Sequence, residues 1–454
     1  MEIENKGQGL KSMSKRIFQG IFWISVYILL TFAPLLILLA GPRPAGREFW
    51  RDLSVGLGFS GIAMVGLQFV LTARFKVIKA PYGSDIVYFF HRQISLVSFA
   101  LIAAHPLLLF IFEPHYLGLL NLVTAPWAAR FGVVALLFLG AIIGFSIWRK
   151  KLRIEYDRWR IWHGVLATAA MAFALVHIEL RGYYLNTLWK QLFWGIYGVF
   201  WVGLLAWIRV IKPIILLRRS YLINNVIKER GNAWTIILRP DNHNGLSFQP
   251  GQFAWITVKD SPFKEHEHPF SFSGSAEEKS ALSFTIKELG DFTSSIKHLS
   301  RGQRVYVDGP FGAFSIDRHP RSQEFVFIAG GIGITPMMSM MRTMADRGDR
   351  RPITLIYANK TLEDATFLDE FEKLSKRLNL KLIHVLELPP EGWRGEKGYI
   401  TIDILKNHLP TDRTPDNVEV FICGPGPMMD AVEKALIQLG VPMGDFHSER
   451  FDMV

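Results

Sequence analysis

Four histidines stand out by their spacing inside apolar sequence. His91 and His105 are 14 residues apart, and so are His163 and His177. Fourteen steps of about 100° return to within roughly 40° of the start, so each pair lies on one helix face, about 21 Å apart along the axis. Neutral imidazole is a strong ligand for haem iron, and the axial ligands set much of a haem's redox behaviour. Two facing helices so equipped would clamp two b-type haems one above the other, one by His91 and His163 and one by His105 and His177. A lone intramembrane histidine is more simply a hydrogen bond between helices, but two matching pairs point to ligation. Arg92, beside His91, would pair with a haem propionate or reach to the membrane interface.

The elements that must carry these pairs are membrane spans. Of 454 residues, 50% are hydrophobic, with 13 Trp and 34 Phe. Six apolar runs, about 18–40, 53–71, 86–112, 131–148, 161–178 and 191–211, mostly approach or exceed the ~20 residues that cross a bilayer. Basic residues set their orientation. Lys6, Lys11, Lys15 and Arg16 precede the first run; Arg74, Lys76 and Lys79 follow the second. Arg149, Lys150, Lys151, Arg153, Arg158 and Arg160 join the fourth to the fifth, while the third-to-fourth connection has only Arg130. Both termini are therefore expected on the cytoplasmic side. The first outer loop dissents with Arg43, Arg47 and Arg51. The net charge of +11 flanks apolar runs, which implies lipid headgroups as partners rather than nucleic acid. The single cysteine, Cys423, excludes an intrachain disulfide and a Cys-rich metal site. The first apolar run is too long for a cleavable signal peptide.

Beyond about residue 215 the periodicity changes. Short β-rich stretches with Gly and Pro punctuation, such as QFAWITVKD, LSFTIKEL and RVYVDGPFG, predict a small antiparallel barrel. From Glu324 onward EFVFIAG, ITLIYAN, KLIHVLE and VEVFICG alternate with helical stretches, which predicts a parallel doubly wound sheet. The expected organisation is a cytosolic tail (1–17), a six-helix transmembrane bundle (18–214), an antiparallel β-barrel domain (215–318) and an α/β parallel-sheet domain (319–454).

HPFSFSG, residues 268–274, resembles the flavin-binding signature of the ferredoxin–NADP reductase superfamily, with His268 in place of the usual arginine as in the NADPH oxidase and ferric reductase branch. The resemblance implies that His268, Pro269, Phe270 and Ser271 bind FAD, with Phe270 beside the flavin ring and Ser271 near its reactive nitrogen. It places Lys287, Gly290 and Thr293 of IKELGDFT at a helix start that holds the flavin pyrophosphate, where free N–H groups favour an anion. VFIAGGIGITPMMSMMR is similar to the nicotinamide-binding turn of that superfamily. Gly330, Gly331 and Gly333 would let the backbone approach a pyrophosphate, with Thr335 as cap and Pro336 as the first helical residue. Cys423, Gly424 and Pro425 would line the nicotinamide pocket; the bland reading of Cys423 is a small buried residue at a strand end. Phe451 would cover the flavin face or else pack in the core. Lys360 would meet a 2′-phosphate, favouring NADPH over NADH.

In this order, the motifs resemble a bacterial member of the NADPH oxidase and ferric reductase transmembrane family. That resemblance implies electron transfer from cytosolic NAD(P)H through FAD and two haems to an acceptor at the outer face of the cytoplasmic membrane. Oxygen, ferric iron and quinone all remain open as acceptors. A haem-free membrane sensor or transporter with a regulatory flavin domain is the reading from a different class. The sequence leaves oligomeric state and regulation open.

Overall fold

The computed structural model describes residues 2–40, 48–75, 84–264, 266–410 and 417–450, with backbone only at 2–17, 19, 38 and 84–86. Phe451, Arg43, Arg47, Lys76 and Lys79 lie outside the described residues. The chain divides into two compact units, one of residues 18–78 and 86–213, the other of residues 1–17, 79–85 and 214–454.

The first unit is helical. Its helices are α1 (Glu2–Leu39, counted in this unit from residue 18), α2 (Phe49–Thr72), α3 (Ser84–Phe112), α4 (Trp127–Trp148), α5 (Tyr156–Arg181) and α6 (Leu188–Ala206), followed by a π turn (Trp207–Ile211); α7 (Lys212–Arg218) straddles the boundary at residue 214. Six stretches among them are long and apolar enough to cross a membrane. The core centres on α2, where small residues admit neighbouring chains. A Cβ on Gly61 would lie 3.2 Å from the Ser98 carbonyl of α3, and one on Gly66 would meet the Tyr197 hydroxyl of α6. This is the small-residue packing expected where apolar burial cannot itself drive helices together. Helix α5 packs closely along α4, whereas, among the described residues, the backbones of α3 and α5 stay apart.

The second unit opens with β1 (Tyr221–Glu229), β2 (Ala233–Pro240), β3 (Phe253–Val258), β4 (His268–Ser271), β5 (Leu282–Lys287), the single-turn α8 (Asp291–Ser295) and β6 (Arg304–Phe311). These strands form an antiparallel sheet in the order β4-β3-β6-β1-β2-β5. It curls over a core that includes Ile236, Phe272 and Phe284, all without solvent exposure. One isolated bridge, Phe272–Phe284, joins the two ends of the sheet. The result is a half-barrel whose edges are pinned at one point.

A parallel sheet follows. Its strands are β7 (Glu324–Gly330), β8 (Ile353–Asn359), β9 (Leu380–Leu386), β10 (Glu396–Lys397), β11 (Val418–Cys423) and β12 (Phe446–Ser448). Its helices are α9 (Ile334–Arg347), α10 (Leu368–Ser375), α11 (Ile402–His408) and α12 (Gly426–Gln438). The order β10-β9-β8-β7-β11-β12 reverses direction between β7 and β11. Such a reversal opens a crevice at the carboxyl ends of the strands, where open α/β sheets bind ligands. Separate apolar clusters cover the two faces, so strands such as Val418–Cys423 are buried at every position. That explains their continuous rather than alternating hydrophobicity.

The start of α9 differs from the sequence expectation. Gly333, not Thr335, precedes the helix, and Thr335 and Pro336 are its second and third residues. A 3₁₀ turn at Gly331–Gly333 brings the helix start forward. Proline is tolerated there because first-turn N–H groups have no intrahelical partner. The Thr335 hydroxyl donates to the Ile332 carbonyl at 2.7 Å instead of capping the helix.

A Cβ on Gly333 would strike the Cys423 backbone carbonyl. Gly333→Ala is expected to destabilise the parallel-sheet part by about 1–3 kcal/mol through this overpacking. A lowered thermal unfolding midpoint checks it; an unchanged midpoint would refute the close turn-to-turn contact.

Candidate functional site

In the helical unit the imidazoles of His91 and His163 face each other with ring centres 6.3 Å apart, and those of His105 and His177 do the same at 6.3 Å. A metal ion between two imidazole nitrogens adds about 2 Å on each side, and each nitrogen lies roughly 1 Å from its ring centre, giving roughly 6 Å. The two pairs thus have the spacing of rings that share one metal ion, at two levels of the gap between α3 and α5.

The second nitrogen of three of these rings is engaged. His91 Nδ1 lies 2.8 Å from Gln68 Oε1, His105 Nδ1 3.0 Å from the Ser54 carbonyl, and His177 Nδ1 2.6 Å from the Ala128 carbonyl. A bond from Nδ1–H to a carbonyl fixes the tautomer and leaves the Nε2 lone pair for a metal. Ser54 Oγ is also 2.9 Å from His105 Nδ1. Among the described residues, His163 Nδ1 is buried without a hydrogen-bond partner.

The two carbonyl contacts share one construction. Gly58, four residues after Ser54, would place a Cβ 3.3 Å from the His105 ring; Gly132, four residues after Ala128, would place one 2.8 Å from His177 Nδ1. Each glycine clears the groove through which an imidazole reaches a carbonyl of the helix ladder. Ser54 faces His105 and Gln68 faces His91, so a 14-residue step on α2 runs antiparallel to the 14-residue step on α3. Arg92 is exposed beside His91. The guanidinium of Arg209, in the π turn after α6, would be 2.5 Å from a Cβ on Gly164, next to His163. On the far side of the bundle, Arg51 forms an ion pair with Glu113 at 3.4 Å and lies over the Tyr116 ring. The charge of Arg51, one of the three arginines between the first two apolar runs, is therefore partly neutralised.

In the second unit, β4 and β5 meet at the Phe272–Phe284 bridge, with His268–Ser271 on one side of the opening and Lys287 on the other. The His268 ring stacks on Phe292 with centres 3.8 Å apart, and Phe270 lies parallel to Phe292 at 6.0 Å. This half-buried aromatic face suits a planar ligand. Ser271 is 5% exposed, and among the described residues its hydroxyl has no hydrogen-bond partner, an orphan that a flavin nitrogen would satisfy. Thr293 Oγ1 accepts from the amides of Leu289 and Gly290 at 2.8 and 2.9 Å, which shapes the turn into α8. A Cβ on Gly290 would meet open space.

At the switch point of the parallel sheet two glycine turns interlock. A Cβ on Gly330 would lie 2.6 Å from Met428 Sδ, and one on Gly424 would lie 3.0 Å from the Gly330 amide. Gly331 differs: its φ is +54 and nothing lies within 4 Å of its Cβ position. Gly330, Gly333 and Gly424 thus serve turn-to-turn packing, while Gly331 faces the open side. Pro425 leads into α12, and Lys360 is exposed just after β8. Cys423 has no solvent exposure. Burial pushes its thiol well above the ordinary range, and Glu449 nearby adds to that.

Residues 57–176 match the family described as ferric reductase like transmembrane component, residues 232–315 an FAD-binding domain, and residues 327–434 an oxidoreductase NAD-binding domain. The chain belongs to the ferric reductase-like flavoprotein oxidoreductases. Among curated proteins it is similar to NADH-cytochrome b5 reductase 1 of Aspergillus terreus, 30% identical over 50% of this chain and 81% of that protein. It is also similar to NADH-cytochrome b5 reductase 2 of Mycosarcoma maydis, 31% identical over 38% of this chain and 51% of that protein. The chain thus spans about half the length of some of the curated relatives it matches. Among solved structures, the cytochrome b5 reductase domain of Ulva prolifera nitrate reductase matches with 24% identity and a TM-score of 0.45, covering 51% of this chain and 96% of that one.

Several residues of this ferric reductase-like site escaped the sequence reading. Ser54, Gln68 and Ala128 support the imidazoles, Gly58 and Gly132 admit them, and Glu449, 3% exposed, lies near Cys423. Gln68 carried a signal, since it stands 14 residues from Ser54; the Ala128 carbonyl carried none.

The buried thiol is testable because Cys423 is the only cysteine. At pH 8, iodoacetamide should label the native protein at least ~100-fold more slowly than the unfolded chain. Equal rates, read by mass spectrometry, would contradict this placement.

Proposed function

We propose that this chain transfers electrons from cytosolic NADH or NADPH, through FAD and two b-type haems, to oxygen or ferric iron at the other face of the membrane. The observation that carries the reading is the pair of imidazole pairs at one spacing, with Nδ1 engaged on three of four rings. Bound FAD would accept a hydride and release single electrons, and bound haem iron would pass them one at a time.

The residues divide the remaining work. His91 and His163 hold one iron, and His105 and His177 the other, through Nε2. Arg92 and Arg209 offer positive charge at the His91–His163 level, where propionates need it. In the half-barrel, His268 and Phe270 form the aromatic wall for the flavin, Pro269 keeps β4 at the sheet edge, and Ser271 offers its unpartnered hydroxyl to the ring. Lys287, Gly290 and Thr293 receive the flavin pyrophosphate. Gly330, Gly331, Gly333, Thr335 and Pro336 hold the nicotinamide nucleotide with Gly424 and Pro425, and only Gly331 lets phosphate approach bare backbone. Cys423 keeps the strand end small beneath the nicotinamide. Phe451 is proposed to cover the flavin face. The basic connections support an orientation with both termini in the cytoplasm. The relatives' names favour NADH, whereas exposed Lys360 offers a 2′-phosphate a charge.

A reduced-minus-oxidised spectrum of the purified protein tests the centre of the proposal. It should show b-type haem at about two per FAD. His105→Ala should lose one haem and stop NAD(P)H-driven reduction of an impermeant acceptor. Gly132→Ala should shift only the spectrum of the haem held by His177. Absence of a Soret band after expression with ample haem precursors would favour the haem-free sensor or transporter. Superoxide and ferrous iron assays on the wild type distinguish the acceptors; formation of neither would point to quinone.

Gly331→Val would put a branched side chain at positive φ where phosphate must approach. The KM for the nucleotide should rise at least ~10-fold with haem and flavin content unchanged. An unaltered KM would remove Gly331 from the site.

A further inference from the structure

Away from the imidazole pairs and the glycine turns, three ionisable side chains converge from three separate chain segments. His319 lies in the linker between the half-barrel and the parallel sheet, Glu419 on β11 and His447 on β12. His319 Nδ1 is 2.8 Å from Glu419 Oε1, and His447 Nε2 is 2.6 Å from Glu419 Oε2. The three donor atoms all lie within 4.8 Å of one another. Glu419 is four residues before Cys423, about 13 Å down the strand.

We propose that His319, Glu419 and His447 form a binding site for a divalent transition metal of the zinc class. The reading is independent of the electron-transfer function. Two imidazoles and one carboxylate are the donor set that zinc takes in tetrahedral sites, with a fourth position left to water. Metal–ligand bonds of about 2 Å in that geometry put donors ~3.3 Å apart, so the separations present need only small side-chain rotations. The His319 and His447 ring centres are 4.2 Å apart at 41°, tilted toward the shared carboxylate. Access is one-sided: the His447 side chain is 21% exposed, against 7% for His319 and 2% for Glu419. Phe421 packs against both rings on the inner side.

Position also argues for a ligand. Glu419 is the only polar residue in the strand Val418–Cys423, which is buried throughout. A buried ion pair is poor value for stability compared with an apolar residue of similar size. A metal here would fasten β12 and the interdomain linker to β11.

The test uses the full-length protein in detergent, made without a polyhistidine tag, stripped with a chelator and titrated with zinc chloride. Retained zinc is counted by mass spectrometry after desalting. About one zinc per chain is expected for the wild type, with at least ~10-fold weaker binding in His319→Gln and His447→Gln. Flavin content and the haem spectrum report that the variants are folded. X-ray absorption of the zinc-loaded wild type should show imidazole in the metal shell, which keeps the test valid if a variant fails to fold. No retained zinc, unchanged binding in a folded His447→Gln, or a shell without imidazole would each overturn the proposal and leave the cluster as a hydrogen-bonded triad.

Discussion

A histidine ring inside an apolar helix bundle must satisfy one nitrogen and keep the other available. That constraint organises the membrane half of this protein. An unpartnered buried polar group costs about 1–3 kcal/mol, and the acceptors nearest to hand are helix carbonyls, each with a second lone pair beyond its ladder bond. Side chains normally screen that lone pair. At Ser54 and Ala128 a glycine four residues on removes the screen, and His105 and His177 reach the exposed carbonyls. The same device on two helices fixes the level, tautomer and direction of the pair. At the other level His91 uses the Gln68 amide, and His163 has no acceptor for Nδ1 among the described residues. The two histidine levels therefore have unequal hydrogen-bond support, and ligands so differently hydrogen-bonded would give the proposed irons different electronic environments.

This explains what was legible in the sequence. The 14-residue spacings follow from helix geometry alone, and spans, half-barrel and parallel sheet follow from periodicity. Carbonyl acceptors leave no mark, because every residue has one. Gly58 and Gly132 look like ordinary small residues of a membrane helix until the facing ring is known. The start of α9 was misplaced because Thr-Pro reads as cap and first residue, whereas the positive φ of Gly331 and the tight turn after it move the helix forward. Arg51 read only as one of three basic residues that dissent from the orientation rule, since its partner Glu113 is distant in sequence. The cluster of His319, Glu419 and His447 was invisible for the same reason.

The half-barrel and parallel sheet belong to one compact unit, and α9 is what joins them. Its first turn lies at the glycine turn of the switch point. Its body is buried, with Met337, Met338, Met340, Met341 and Met344 all at 0% exposure, and the thioether side chains suit an irregular contact. Polar residues on the same helix then grip the chain just after Ser271. Arg342 donates to the Ser273 carbonyl at 2.6 Å while paired with Glu370 at 2.5 Å, Ser339 donates to the Gly274 carbonyl at 2.8 Å, and Thr343 accepts from the Ala276 amide at 2.9 Å.

These bonds matter more for position than for stability. Each is worth about 1 kcal/mol net, less than the burial of a single methionine. What they add is direction. Three contacts tie residues 273, 274 and 276 to a helix whose start is set by the turn at Gly331–Gly333. Ser271 and the open backbone of Gly331 are thereby held at a separation that neither sheet could fix alone. Transfer between two bound ligands depends steeply on such separation, and an error of about 1 Å can cost ~100-fold in rate. A helix with three polar anchors answers that demand: its methionines pack it onto the parallel sheet, and the anchors remove the freedom of residues 273–276 to slide along it.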